Sequence, residues 1–377
     1  MAWTILMPGR TIFGRGAADT APELISGLGR RILLVRGSAP GADRLEAALS
    51  ARAEVLTLRH HGEPDLPALT AALDRARPFA PDVIVAIGGG SVLDLGKALA
   101  ALVPSSRDPL DHLEVVGRGL PLDQAPLPLV AIPTTAGTGA EATRNAVIGV
   151  PEHARKVSLR DDRMIPDVAL VDPALTDHSP RAVTLASGLD AVVQVIEPYL
   201  SSRATPFTDA LCRAAIPQGL AALRRLMEAE DPAARDALAH VSLTGGIALS
   251  NAGLGAVHGL AGVLGGRHPA PHGALCGRLL VPVLRANRAA LTANGHSTDR
   301  IDEITAMIAR TFSTSPDKAL ETLDTWATNN GLPDLATLCV TPLDPQATAR
   351  DAAASSSMKA NPVPVSEDTL AAILDAA

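Results

Sequence analysis

The sequence is poor in aromatic residues and has no run of basic residues. Aromatic side chains make up 2% of its 377 residues, so alanine, leucine and valine must fill the cores. No stretch of lysine and arginine is long enough to bind a polyanion, and the formal net charge is -7. We therefore expect no nucleic acid and no anionic membrane surface among its partners.

Cysteine is scarce as well. The chain has Cys212, Cys276 and Cys339, an odd number at spacings that fit no zinc or redox motif. We interpret all three as buried or incidental thiols of a protein in a reducing cytosol.

Long apolar runs are also missing. No uninterrupted apolar stretch reaches membrane-spanning length, and the start, Met1-Ala2-Trp3-Thr4, lacks the charged and apolar segments of a secretion signal. We expect a cytoplasmic protein. Its length and its apolar content of 47% allow two domains with more than one core.

The first half of the chain alternates β-branched runs with helical patterns. Strands are predicted at 31–36, 54–58, 83–87 and 127–132, with helices at 42–52, 65–77 and 91–102 and further strands within 145–172. This alternation predicts a parallel, doubly wound α/β sheet. After about residue 180 only helical patterns continue. We predict an α/β domain over 1–178 and an all-helical domain over 179–377.

Two loops follow buried strands of the predicted sheet. Gly88-Gly89-Gly90-Ser91 opens a helix that carries Asp94 and Lys97, and its glycines let the backbone approach a phosphate at the helix start. The second loop, Pro133 to Glu141, offers three threonine hydroxyls and two glycines. Ligands of open α/β sheets bind at the ends of such strands. We interpret the first loop as binding a phosphate and the second as forming hydrogen bonds to a phosphate, a ribose or an amide; an ordinary tight turn is the alternative for each.

A later stretch, Ser187 to Glu197, is apolar at helical spacing and carries Asp190 and Gln194 one turn apart. His258 and His272 follow in another apolar, glycine-rich region. A buried acid needs a partner. A metal ion held by Asp190, His258 and His272, with Gln194 as a weak fourth ligand, would supply one.

The two loops together with Val257-His258-Gly259-Leu260 and Pro271-His272-Gly273 resemble the iron-containing (group III) alcohol dehydrogenase family, in order over nearly the whole chain. The resemblance implies a dehydroquinate synthase-like fold, with an N-terminal dinucleotide-binding domain, an all-helical C-terminal domain and a metal in the cleft between them. It implies a nicotinamide cofactor and hydride transfer to or from a small alcohol, aldehyde or oxo-acid. Because family members are often dimers or larger, we expect a homodimer.

The resemblance also implies cofactor contacts. The residues concerned are Gly89, Gly90 and Ser91 at the pyrophosphate with Asp94 in the following helix, Thr134, Thr135 and Thr138 along the cofactor, and Lys156 at the ribose. Lys156 could instead be a solvated charge.

The end of the first predicted strand bears on cofactor choice. Many family members carry an acid there that repels a 2′-phosphate, whereas this chain has Arg36-Gly37-Ser38. An arginine and a hydroxyl could accommodate the phosphate. We expect NAD(P)H as cofactor and predict that NADPH is accepted.

The chain departs from the family's metal site at two positions. The family uses an acid and a histidine one turn apart and then two further histidines. Gln194 stands at the second of these positions, and its neutral amide is a weaker ligand for Fe²⁺ or Zn²⁺ than imidazole. Gly262 replaces a histidine that many relatives carry in the catalytic cleft, and His268 could partly substitute for it toward the substrate.

Three interpretations follow. Asp190, Gln194, His258 and His272 hold a divalent metal that polarises a carbonyl; or the site is metal-free and reduces an oxo-acid, as in the maleylacetate reductase branch; or the chain binds the cofactor without catalysis. Arg144 bears on the second interpretation, because it could bind an anionic substrate. Its alternative is a surface arginine paired with an acid.

Overall fold

In a computed structural model of the chain, residues 3–377 are described, apart from the side chain of Pro40. Met1 and Ala2, which belong to the segment read as lacking a secretion signal, lie outside the described residues. The chain divides into two compact units. The sheet unit comprises Leu6–Thr135 and Gly139–Asp177; the helical unit comprises residues 3–5, Ala136–Thr138 and His178–Ala377.

The sheet unit contains eight strands: β1 (Arg10–Phe13), β2 (Arg31–Arg36), β3 (Glu54–Arg59), β4 (Val83–Gly88), β5 (Leu129–Pro133), β6 (Asn145–Val150), β7 (Arg155–Arg160) and β8 (Val168–Val171). Six of them form one sheet in the order β1-β8-β5-β4-β2-β3, and every pairing in it is parallel. Strands β6 and β7 form an antiparallel pair. The predicted parallel sheet is confirmed.

The helices of the sheet unit are α1 (Ala21–Ser26), α2 (Pro40–Ser50), α3 (Leu66–Phe79), α4 (Gly90–Leu102) and α5 (Pro109–His112). Alternate residues of a strand point to opposite faces. Accordingly, Leu33 and Val35 of β2 share a core with α3 and α4, whereas Ile32 and Leu34 share the other core with α1 and α2. Helices therefore cover both faces, which is the doubly wound arrangement and explains why the central strands are uniformly apolar.

The helical unit contains α6 (Arg181–Leu200), α7 (Pro206–Glu228), α8 (Pro232–Ala252), α9 (Ala256–Arg267), α10 (His272–Ala293), α11 (Asp299–Phe312), α12 (Ala319–Asn329), α13 (Leu335–Leu338), α14 (Pro345–Ala353) and α15 (Glu367–Asp375). Thr205 caps α7 in a reciprocal capping box with Thr208. Asp231 caps α8 by accepting hydrogen bonds from two backbone amides. In both helices a proline follows the cap at the first helical position, which suits a helix start.

Within residues 3–377, no single helix is both long and apolar enough to cross a membrane. Helices α8 and α9, joined at a bend of 101°, reach that length and composition only when taken together.

Candidate functional site

Helix α6 carries three buried polar side chains. Asp190, Gln194 and Glu197 are 2%, 3% and 5% exposed, and their spacings of four and three residues place them on one face of the helix. Burying an ionised carboxylate is costly unless it is paired. Both acids therefore need partners within the helical unit.

Asp190 lies in a cluster with His258 of α9 and with His272 and Cys276 of α10. One ligand atom from each of the four side chains lies within 4.8 Å of all the others. His258 Nε2 is 3.4 Å from Asp190 Oδ1, and His272 Nε2 is 3.5 Å from Cys276 Sγ. The structure thus brings together the acid and both histidines named from the sequence, and it adds a cysteine that we had interpreted as incidental.

Two buried atoms of this cluster lack a hydrogen-bond partner among the described residues: Asp190 Oδ1 and His258 Nε2. They are close, but they are not aligned for a hydrogen bond. An unsatisfied buried polar atom costs about 1–3 kcal/mol. A carboxylate oxygen and an imidazole nitrogen are also common ligands of divalent metals. The residues present therefore fit a divalent metal ion.

Glu197 fixes the orientation of His258. Its Oε2 lies 2.6 Å from His258 Nδ1, and its Oε1 accepts a hydrogen bond of 2.7 Å from the Val257 amide at the start of α9. A proton on Nδ1 leaves the Nε2 lone pair for the cluster, which is how carboxylates commonly support metal-binding histidines. We did not single out Glu197 from the sequence, although it lies two turns after Asp190 on the same face.

Without a bound cation, the charges within the cluster favour the protonated forms of the two histidines. Burial opposes ionisation of Asp190, but His258 and His272 outweigh it and lower the pKa of the carboxyl. Burial opposes protonation of His272, whereas Cys276 and Asp190 raise its pKa to about 9. The pKa of His258 is raised well above its usual value against the same burial, by Cys276, Asp190 and Glu197. Metal binding must therefore release protons.

Gln194 has a different contact from the other predicted ligands. Its Nε2 donates a hydrogen bond of 2.9 Å to the carbonyl of Gly137. This contact leaves the amide oxygen as the ligand atom it could offer. Its part in a metal site remains a prediction.

Gly262 lies in the middle of α9, and His268 directly follows the last residue of that helix. His268 is buried, with Nδ1 3.3 Å from Thr341 Oγ1, and it is not a member of the four-residue cluster. Its predicted contact with substrate stays a prediction. A Cβ added at Gly262 would meet nothing within 4 Å among the described residues. The missing histidine therefore leaves open space one turn after His258.

The predicted nucleotide loops meet at one edge of the sheet, because β5, β4 and β2 are neighbours and parallel strands share an edge at their carboxyl ends. Gly37 donates to the Ile87 carbonyl at 3.1 Å, and Thr134 donates to the Gly88 carbonyl at 2.9 Å. The residues gathered at this edge are Gly37, Ser38, Gly89, Gly90, Ser91, Thr134 and Thr135.

Helix α4 begins directly at this edge. Its N-cap is Gly89, which has no side chain to satisfy the first amide groups, so those groups suit a phosphate. A Cβ at Gly88 would lie 2.6 Å from Cβ of Val92, so only glycine allows α4 to start this close to β4. The other part of the threonine loop, with Thr138, belongs to the helical unit, and its cofactor contact stays a prediction.

Asp94 and Lys97 form a buried pair on α4. Asp94 Oδ1 lies 2.9 Å from Lys97 Nζ, and Oδ2 accepts a hydrogen bond of 3.0 Å from the Val147 amide. Lys97 also donates to Thr143 Oγ1 at 2.6 Å. Both carboxylate oxygens of Asp94 thus have partners inside the sheet unit, and its predicted cofactor contact is untested. Glu141, which we did not single out, is also buried, and burial raises its pKa to about 7.

Arg36, which we expected from the sequence to accommodate a 2′-phosphate, is buried and paired with two acids, and the acceptance of NADPH stays a prediction. Its side chain is 1% exposed. Its Nη1 lies 2.6 Å from both Asp43 Oδ1 and Glu46 Oε2, and its Nε donates to the Gly37 carbonyl. The sequence could not reveal these contacts, because they depend on how α2 packs beside β2.

Lys156 and Arg144, the two other basic residues for which the sequence predicts a ligand contact, also pair with acids. Lys156 Nζ, with a side chain that is 14% exposed, lies 3.4 Å from Glu63 Oε1. Arg144 forms an ion pair with Asp162, as its alternative interpretation states. The ribose contact of Lys156 and the substrate contact of Arg144 stay predictions.

Comparison with known proteins identifies relatives of both units. The family model "Iron-containing alcohol dehydrogenase" matches residues 8–173, and "Fe-containing alcohol dehydrogenase family, C-terminal" matches residues 184–377. "Probable alcohol dehydrogenase EutG" of Escherichia coli (strain K12) is 40% identical over 228 residues, which are 60% of this chain and 57% of that protein. "Alcohol dehydrogenase 4" of Saccharomyces cerevisiae (strain ATCC 204508 / S288c) is 33% identical over 286 residues, 73% of each chain. The solved structure of an alcohol dehydrogenase from Oenococcus oeni has a TM-score of 0.88 at 27% identity and covers 100% of both chains.

Proposed function

Since the chain belongs to the iron-containing alcohol dehydrogenase family, we propose that it is an NAD(P)-dependent alcohol dehydrogenase or aldehyde reductase that works with a divalent metal ion. Its substrates are a small alcohol and the corresponding carbonyl compound. One observation carries the proposal: Asp190 Oδ1 and His258 Nε2 are buried without hydrogen-bond partners in the described part of the chain. Two such atoms beside His272 suit a cation and have no other evident use.

The residues of the helical unit divide the work. Asp190, His258 and His272 hold the metal, with Gln194 as the fourth ligand proposed from the sequence. Glu197 keeps the Nδ1 proton on His258, so that Nε2 remains a ligand. When bound, the metal would supply Lewis-acid polarisation of the substrate oxygen, and the nicotinamide would supply the hydride or take it up.

The residues of the sheet unit bind the dinucleotide. The first turn of α4, at Gly90 and Ser91, binds the pyrophosphate through backbone amides, because Gly89 has no side chain that would block the approach of the phosphates. The hydroxyls of Thr134 and Thr135 and the backbone at Gly37 and Ser38 lie at the same sheet edge. Lys156 and Thr138 complete the contacts we expect with the cofactor.

The second candidate is metal-independent reduction of an oxo-acid. The amide of Gln194 favours it, because a neutral amide oxygen is a weaker ligand for a divalent metal than imidazole. In that case Arg144 would leave Asp162 and bind the anionic group. Arg144→Ala should then raise KM for anionic substrates selectively, and equal effects on neutral aldehydes would count against this candidate.

One experiment separates the candidates. Protein stripped with a chelator is reloaded with Zn²⁺ or, without oxygen, with Fe²⁺. Reduction of a series of aldehydes and of an oxo-acid is then followed with NADH and NADPH. Recovery of aldehyde turnover with metal supports the first candidate, and oxo-acid turnover without metal supports the second. If no substrate were turned over, the result would support the third interpretation, a protein that binds the cofactor without catalysis.

Other expectations accompany the proposal. We place the domain boundary between residues 178 and 179, with the dinucleotide bound by the first domain. A homodimer and a cytoplasmic location remain predictions. Gel filtration with light scattering tests the first, and fractionation of the source cells tests the second.

A further inference from the structure

Cys276 reaches the metal cluster because α10 lies very close to α6. A Cβ on Gly273 would collide with the carbonyl oxygen of Ala186, and one on Gly277 would lie 2.5 Å from Leu189 Cδ1. Glycine at both positions therefore permits the close approach. Cys276 precedes the second glycine and follows His272 by one turn, so the thiol and the imidazole project from the same face.

The separations within the cluster match a four-ligand site. In a tetrahedral zinc site with Zn–N and Zn–O near 2.1 Å and Zn–S near 2.3 Å, oxygen and nitrogen ligands lie about 3.4 Å apart, and nitrogen and sulfur about 3.6 Å apart. Asp190 Oδ1 and His258 Nε2 are 3.4 Å apart. His272 Nε2 and Cys276 Sγ are 3.5 Å apart. The remaining separations are within 4.8 Å, so small side-chain movements would close the set.

We propose that Cys276 is the fourth protein ligand of the metal ion, in the role that we gave Gln194 from the sequence, and that the resulting Asp–His–His–Cys set binds Zn²⁺ in preference to Fe²⁺. This inference rests on the proposed metal-assisted function. It stands on the position of Sγ and on the two partnerless atoms, Asp190 Oδ1 and His258 Nε2, which are at least nine-tenths buried. Thiolate is a softer ligand than carboxylate or amide and favours zinc.

Coordination by Cys276 requires only the loss of its thiol proton. The S–H bond of Cys276 breaks as the sulfur–metal bond forms, and its proton leaves to solvent. Gln194 then keeps its hydrogen bond to Gly137. No oxidant or reductant is required.

The direct test uses the whole protein reconstituted with metal. Zinc K-edge absorption should detect one sulfur at about 2.3 Å among nitrogen and oxygen ligands. The Co²⁺-substituted protein should display a thiolate-to-cobalt charge-transfer band in the near ultraviolet. A zinc shell without sulfur, or a cobalt spectrum without this band, would overturn the inference even if the protein binds metal and reduces aldehydes.

Variants supply the second arm. Cys276→Ala should weaken Zn²⁺ binding on the order of 100-fold, since four donors share the binding free energy of such sites, and Cys276→Ser should abolish the charge-transfer band while preserving the size of the side chain. Cys212→Ala is the matched control, because that thiol is also fully buried but belongs to α7. Loss of binding in Gln194→Ala with normal binding in Cys276→Ala would refute the assignment. Absence of metal binding in the wild-type protein would instead refute the metal-assisted function itself.

Discussion

Replacing Glu197 by glutamine would disturb the histidine that this carboxylate orients. Glu197 accepts from His258 Nδ1 at 2.6 Å and from the Val257 amide at 2.7 Å. Glutamine has one acceptor oxygen and one donor NH2 group, so it can serve only one of these two donors. The substitution changes the shape of the side chain very little, so its effect reports the hydrogen bonds.

Either arrangement of the glutamine is unfavourable. If its NH2 faces His258, the imidazole must move its proton to Nε2, which then cannot bind a cation. If its NH2 faces Val257, a buried amide loses its acceptor at a cost of about 1–3 kcal/mol. Loss of an orienting carboxylate lowers metal affinity by about 10–100-fold. We expect the dissociation constant for Zn²⁺ to rise by that factor and the free energy of unfolding of the metal-free protein to fall by about 1–3 kcal/mol.

The dissociation constant is measured by competition with a chromophoric chelator, and the stability by urea denaturation of the metal-free protein. Glu141→Gln is the matched control, because Glu141 is equally buried but belongs to the sheet unit, so Zn²⁺ affinity should be unchanged. Binding by Glu197→Gln within about threefold of wild type would refute the claim that this carboxylate orients the ligand.

Three further predictions, made with four substitutions, test other features. Gly262→Ala should stabilise the protein by about 0.5–1 kcal/mol, because the added Cβ meets only open space. Gly277→Ala should destabilise it by about 1–3 kcal/mol, because the added Cβ collides with Leu189. If urea denaturation showed Gly277→Ala to be the more stable of the two variants, the close packing of α10 on α6 would be contradicted. Burial raises the pKa of Glu141 from 4.5 to about 7, so its contribution to stability is full below pH 4.5 and is lost as the pH rises through 7, by about 3 kcal/mol. Glu141→Gln should remove this part of the pH dependence of unfolding, and an unchanged profile would show that the carboxyl is not protonated when folded. Arg36→Met should change the ratio of kcat/KM for NADPH and NADH by less than about threefold, because the guanidinium is buried. A large fall in kcat/KM for NADPH alone would show that Arg36 does contact the 2′-phosphate.

The centre of the sheet was predictable because its strands β4, β5 and β8 are buried along their whole length. Uniformly apolar runs such as 83–87 are typical of central parallel strands, and the structure has β4 at Val83–Gly88. The boundaries were less accurate. We began the fourth strand at Leu127, whereas β5 runs from Leu129 to Pro133, since its register is set by pairing with β4 and not by composition.

The site was predictable only where residues lie in recognisable motifs. Asp190, His258 and His272 do, and they come together. Glu197 and Cys276 do not, because their significance depends on contacts between helices that are far apart in the chain: Glu197 meets His258 across 61 positions. Each nevertheless carries a weak signal, since it lies at helical spacing from a predicted ligand. Scanning outward from each candidate ligand by three, four and seven residues would have found both.

The central claim is that the cluster around Asp190 holds a metal that the reaction requires. It is tested most directly by titrating the chelator-stripped protein with Zn²⁺ while following the aldehyde-dependent oxidation of the reduced nicotinamide cofactor. We predict that turnover starts near zero and rises in proportion to added metal, with a break at one ion per chain. Full turnover before any metal is added would contradict the claim.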